Sequence, residues 1–246
     1  MVKLSRSKIE LFLECQRCFW LDVKKGIKRP PPMPYTINNA IDWLLKQEFD
    51  RYREKGIRHP IMIKNDIDAV PFQSPDMNKW RHNFTGVQFH HEPTDFLVYG
   101  AVDDVWVNPN NELIVVDYKA TGAKQHQIYD SYKRQMEVYQ WLLRQNKHKV
   151  SPTGYFVFAK VNKENGFSLP ADLSAKDLSA AGASRESGGN GKALSFDLFV
   201  EPQVGDDSWI EKEIHNARGV YNSEKLPDAG AECVYCAYRA NAGDFS

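Results

Sequence analysis

Four cysteines, paired as CQRC at Cys15 and Cys18 and as CVYC at Cys233 and Cys236, stand at opposite ends of a 246-residue chain with none between them. Two CxxC pairs in a chain without signs of export suit one four-thiolate metal centre better than disulfides. A shared centre obliges the two terminal segments to meet. Residues 1–30 and 222–246 are therefore read as a clamp closing a single domain of residues 1–246. On geometry Zn²⁺ and an iron-sulfur cluster are equally good occupants, with buried unmetallated thiols as the bland alternative.

A composition 42% hydrophobic and 26% charged excludes general disorder. No apolar run approaches the roughly 18 residues a membrane span needs, and the opening MVKLSRSKIELFLECQ lacks the continuous apolar core of a signal peptide. A cytoplasmic address with no membrane partner is the expectation. The net charge is zero, but its distribution is uneven. Met1 to Pro30 holds eight basic against three acidic residues, and Gly122 to Lys149 holds six against two. Each patch can hold phosphates or be a solvated helix face.

Helical spacing runs from Ser5 to Lys25, with Ser5 or Ser7 as N-cap and Gly26 as a stop, and again from Ile37 to Lys55 before Gly56. From Asp95 to Lys119 the period changes to two: FLVYGAVDDVWV, the turn-forming NPNN, then ELIVVDYK. This predicts a hairpin. Tyr129 to Gln145 reads as helix, Thr153 to Val161 and ALSFDLFVEPQV as strands, and Ser208 to Tyr221 as a last helix. Residues 162–193 are expected to form a mobile loop. Its GK, at Gly191 and Lys192, lacks the upstream glycine and following hydroxyl of a Walker phosphate cradle. HHEP, at His90 to Pro93, has no zincin spacing and reads as loop.

Alternation along the hairpin puts Asp103 on the face of Tyr99, Ala101, Val105 and Val107, and Asp104 with Gly100, Val102 and Trp106. Asp117 and Lys119 share a face of the partner strand. Pairing through the turn brings Asp103 to Asp117 and Lys119, two carboxylates and an ammonium in one patch. Such carboxylates suit Mg²⁺ or Mn²⁺, and a neighbouring lysine can orient water or steady a phosphoryl oxygen. The alternative is a salt-bridge cluster capping strand ends.

With Gly100 and Asp103 in one strand, Asp117-Tyr118-Lys119 ending the next, and QMEVY supplying Gln135 and Tyr139 on the following helix, the chain resembles the PD-(D/E)XK nuclease superfamily. More narrowly it resembles RecB-like exonucleases, including the CRISPR-associated members and the nuclease domain of AddB. The resemblance implies an α/β (α+β) restriction-endonuclease-like core, a mixed central sheet flanked by helices. It implies a Mg²⁺- or Mn²⁺-dependent deoxyribonuclease acting on single-stranded or end-containing DNA, with Asp103, Asp117 and the carbonyl of Tyr118 as metal ligands. Lys119 would orient or activate water, and Gln135 and Tyr139 would position substrate or the lysine. Lys124, Lys133 and Arg134 would track the phosphate backbone, and Tyr129, Tyr132 and Trp141 are candidates to stack bases.

Two features depart from the family pattern. Its usual histidine in the preceding helix is replaced by Asp42, with Glu48 as the next match. Its cysteines number one N-terminal and three C-terminal, holding a 4Fe-4S cluster; here Cys18 would supply the missing ligand, with Zn²⁺ as the alternative occupant. A helicase, or a CRISPR-adaptation or repair protein, is the partner implied. The rival readings are a catalytically inactive nuclease-fold subunit that binds nucleic acid, and a zinc-stabilised protein-interaction module.

Overall fold

The computed structural model describes residues 1–31, 36–123, 127–164 and 194–243. A short strand, β1 (Val2–Ser5), leads into α1 (Arg6–Glu14), capped by the Ser5 hydroxyl, which accepts from the Lys8 N–H at 3.3 Å. The helical spacing from Ser5 to Lys25 is divided in two. Cys15 takes an extended conformation (φ −161°, ψ 105°), and its sulfur caps α2 (Gln16–Lys25), which ends at Gly26 in the left-handed region. A residue that ends one helix and caps the next cannot be seen in a hydrophobic period.

The long helix α3 (Thr36–Lys55) and the turn α4 (Pro60–Lys64) follow, then β2 (Val70–Pro71), α5 (Met77–Trp80) and β3 (Val87–His91). The stretch FLVYGAVDDVWV forms two strands rather than one. Its first half, β4 (Phe96–Gly100), joins a three-stranded sheet in the order β1-β4-β3, and its second, β5 (Asp104–Val107), joins a five-stranded sheet. Between them the backbone leaves both ladders: Val102 N–H donates to Trp80 O at 3.1 Å, and Arg81 Nε donates to Asp103 O at 2.9 Å. The predicted face-sharing therefore stops at residue 101. Val102 packs in the core with Val105, whereas Asp104 and Trp106 face the other side.

Beyond the turn the hairpin is as expected. β5 pairs antiparallel with β6 (Leu113–Thr121) in the register Asp104↔Val116. α6 (Asp130–Gln145) crosses to β7 (Thr153–Val161), parallel to β6, and β8 (Phe196–Val204) closes the order β2-β5-β6-β7-β8. α7 (Ile210–Asn222) and α8 (Val234–Gly243) complete the described chain.

The large sheet is covered on both faces. On one, Ile41, Leu45 and Phe49 of α3 and Ile61 and Met62 of α4 pack on Trp106, Ile114, Val116, Tyr118 and Val157. On the other, α6 lies between the sheets, against β3 and β4 on one side and β6 on the other. This double burial explains why Met136 and Val138 through Leu143 are all buried. It also explains the run LIVV: a central strand apolar on both faces. Gly100 admits the close approach of α6, since a Cβ there would lie 2.6 Å from the Tyr139 ring. No described helix is long and apolar enough to cross a membrane.

Candidate active site

β6 carries Asp117 to the middle of the covered sheet, where it is fully buried. Asp117 meets Lys119 in an ion pair and accepts from Gln135 Nε2 at 2.8 Å through Oδ1. Gln135 Nε2 lies 3.0 Å from the Tyr139 hydroxyl, and Lys119 Nζ is 3.5 Å from Gln135 Oε1. The Lys119 ammonium stands 4.6 Å from the centre of the Tyr132 ring. Burial, reinforced by the charge of Asp103 and opposed by Lys119, lifts the Asp117 pKa to about 7, and burial lifts that of Tyr139 to about 12. Asp117, Lys119, Gln135 and Tyr139 thus form one connected group across β6 and α6.

Asp103 closes the other side. Its Oδ2 accepts from the Tyr118 N–H at 3.0 Å, tying the loop before β5 to β6. Its Oδ1 faces Lys46 Nζ at 3.3 Å, and the same ammonium lies 2.7 Å from Asp42 Oδ2. Burial and the like charge of Asp103 raise the Asp42 pKa. Asp42, Lys46, Arg81, Asp103, Tyr118 and Lys119 line one cleft of about 410 Å³. Glu48 turns elsewhere, bonded to His59 Nε2 at 2.9 Å.

Asp104, the neighbour of Asp103, has a different fate. It is fully buried, paired with Arg53 and with Arg81 (3.0 Å), and accepts from the Tyr118 hydroxyl at 2.6 Å. Arg81 also grips Asp50 at 2.8 Å and the Asp103 carbonyl, so the Asp104 cluster supports the loop that presents Asp103.

The sequence has a match among known families. A model of the PD-(D/E)XK nuclease superfamily aligns with residues 3–241. The chain belongs to that superfamily. A solved structure described as the crystal structure of SSO0001 is similar over 97% of this chain and 84% of its own, at 11% identity and a TM-score of 0.41. No curated protein matched the chain.

In this nuclease-superfamily chain the cleft's donor set fits a hard divalent cation. Asp42 Oδ1 is buried with no hydrogen-bond partner, and Asp103 meets an ammonium where a metal ion would balance the same charge. Asp42, Asp103 and Asp117 are not gathered to within 4.8 Å of one another; among the described residues the groups of three or more so gathered lie elsewhere.

Several predicted residues fall outside the cleft. Lys133 pairs with Asp130 at 2.9 Å and Arg134 with Glu10 at 2.6 Å, and both line a separate surface groove with Glu137 and Trp209. Tyr132 lines the cleft, Tyr129 is exposed, and Trp141 is buried. Lys124 and all but the first three residues of the predicted loop 162–193 lie outside the described residues. Lys46 and Arg81 are the cleft residues that sequence reasoning missed. Lys46 follows Asp42 by four positions, a spacing that reads as an ordinary surface pair.

The four cysteines do meet. Cys18 Sγ lies 3.6 Å from both Cys233 Sγ and Cys236 Sγ, and Cys15 Sγ lies 3.8 Å from Cys236 Sγ. Gly230 N–H donates to Cys15 Sγ at 3.2 Å, and Arg29 Nη2 to Cys233 Sγ at 3.2 Å. Gly230 must be glycine for this approach, since a Cβ there would lie 2.3 Å from Glu14 O. Burial opposes a Cys15 thiolate, but the N–H groups of Gly230 and Cys18 bring its pKa down to about 6. Four sulfurs about 2.3 Å from one ion stand roughly 3.8 Å apart at the corners of a tetrahedron. The observed spacings fit that figure. The four thiols lie near enough to one another to bind one metal ion or a cluster.

Proposed function

We propose that this chain is a Mg²⁺- or Mn²⁺-dependent deoxyribonuclease of the RecB-like kind, acting on single-stranded or end-containing DNA. The observation that carries the reading is the linkage of Asp117, Lys119, Gln135 and Tyr139 beside a cleft lined by Asp42 and Asp103. Asp103, Asp117, Asp42 and the Tyr118 carbonyl are the residues that would hold the cation. A divalent cation there supplies neutralisation of charge building on the scissile phosphate and acidification of water.

The chain's own residues do the rest. Lys119, fixed between Asp117 and the Tyr132 ring, presents a compact positive charge to a phosphoryl oxygen or attacking water. Gln135 holds the Asp117 carboxylate in place and is itself tied to Tyr139, which makes the two helix residues positioning groups. Arg81 and Lys46 add positive charge to the cleft and draw in the DNA backbone. Lys133 and Arg134 contribute at a distance from the cleft, as a weaker phosphate track, and Lys124 belongs to the same basic segment of the sequence. The cysteine quartet joins residues 1–30 to 222–246 around one tetrahedral ion, for which Zn²⁺ is the favoured identity. A helicase, or a CRISPR-adaptation or repair protein, is the partner class, and a cytoplasmic location goes with it.

One observation favours a second reading. Lys46 bridges Asp42 and Asp103 as a built-in cation, as expected of a catalytically inactive subunit that binds nucleic acid through the same cleft. Incubation of pure protein with labelled single- and double-stranded DNA separates the two. The first reading requires cleavage with Mn²⁺ that is lost on adding EDTA and in Lys119→Ala. Salt-sensitive DNA binding without cleavage under any divalent metal supports the second, and cleavage that survives both EDTA and the substitution contradicts both.

A further inference from the structure

Away from the cleft, three side chains converge where the small sheet meets α7. His91 ends β3 and is buried, while Glu211 and His215 are exposed and lie four apart on one face of α7. Their ligand atoms all lie within 4.8 Å of one another. His91 Nε2 is 2.7 Å from Glu211 Oε2, and the His91 and His215 rings meet edge-on with centroids 5.2 Å apart. None of the three lines the cleft of Asp42, Asp103 and Lys119.

His91 Nδ1 lies 2.7 Å from Thr94 Oγ1, so one ring nitrogen is anchored on an oxygen while the other, Nε2, faces the Glu211 carboxylate. The space between Nε2 and that oxygen suits a cation, either a proton or a metal ion. An imidazole whose far nitrogen is anchored to an oxygen has the orientation of a metal ligand. Two imidazoles with one carboxylate form a donor set for Zn²⁺ and similar transition-metal ions, whereas Mg²⁺ prefers oxygen alone. Three protein ligands leave one position open, and the exposure of Glu211 and His215 gives an entry path.

We propose that His91, Glu211 and His215 form a second metal site, taking one transition-metal ion of the Zn²⁺ class and tying α7 to the end of β3. The proposal is independent of the nuclease reading. Its test is calorimetric titration of Zn²⁺ into the full chain, with the cysteine centre already zinc-loaded and excess Mg²⁺ present to keep the carboxylate cleft occupied. One further ion per chain is expected, with a rise in melting temperature. His215→Ala and Glu211→Gln, both at exposed positions, should each weaken that binding by about tenfold or more and abolish the zinc-dependent rise. Without added zinc their melting temperatures should stay near the parent value. Absence of a further ion overturns the proposal, as does equal zinc binding by parent and both variants, which would mark adventitious surface binding.

Discussion

Lys46 Nζ lies 3.3 Å from Asp103 Oδ1, and its hold on Asp42 at 2.7 Å makes it the bridge between the two carboxylates of the cleft. Burial works against the Lys46 charge, yet Asp103 and Asp42 together keep its pKa above the ordinary value. A lysine so placed competes with any divalent cation for the same oxygens. Lys46→Gln should therefore bind Mn²⁺ more tightly, by roughly tenfold if the competing pair is worth about 1.4 kcal/mol. Calorimetric Mn²⁺ titration of parent and variant checks this, and weaker binding in the variant would make Lys46 an organiser of the carboxylates instead of their competitor.

The two adjacent aspartates should behave in opposite ways. Asp104 is buried among Arg53, Arg81 and the Tyr118 hydroxyl, and removing its charge takes from the two guanidinium groups the fully buried one of their two shared carboxylates, leaving only the partly exposed Asp50. Asp104→Ala is expected to cost about 3–5 kcal/mol in urea unfolding. Asp103 is partly open to the cleft, so Asp103→Asn should stay within about 1 kcal/mol of the parent while cleavage is lost.

Asp117 sets a pH dependence. With burial holding its pKa at about 7, the metal-free folded state keeps a proton there that the unfolded chain releases near its ordinary value of 3.8. From this group alone, stability of the metal-free protein falls as pH rises from about 4 to about 7. A cation needs the deprotonated carboxylate, so Mn²⁺ affinity should rise over the same window and level off above it. Thermal melting with and without Mn²⁺ from pH 5 to 8 should show a Mn²⁺-induced increase that grows with pH. An increase independent of pH would remove Asp117 from the cation's ligands.

The cysteine centre should contain one zinc ion per chain. Protein purified without oxygen is expected to lack the broad absorption near ~400 nm of an iron-sulfur cluster, and Cys236→Ala should lower the melting temperature. Iron and sulfide in a four-to-four ratio would restore the cluster that family resemblance implies and reject the single-ion geometry.

Much of this was legible in the chain because periodicity and motif spacing are local. The β5–β6 turn, α3 and α6 follow from alternation and helical spacing, the two CxxC pairs do meet, and Gln135 and Tyr139, singled out by resemblance to the nuclease superfamily, lie beside Asp117 and Lys119. The break between β4 and β5 was not legible, because the alternation continues through it and the hydrogen bonds that create it come from Trp80 and Arg81. Lys46 was hidden for a related reason: its bond to Asp42 is local, but its reach to Asp103 spans two elements. The His91 group was missed because its partners lie on a helix far along the chain, where HHEP shows no motif.

The most direct test of the central claim is anomalous X-ray scattering from crystals soaked in Mn²⁺. A manganese peak is expected in the cleft, bonded to Asp103 and Asp117, with Lys46 displaced from Asp103. A cleft without manganese at saturating concentration, with Lys46 still bridging Asp42 and Asp103, would contradict it.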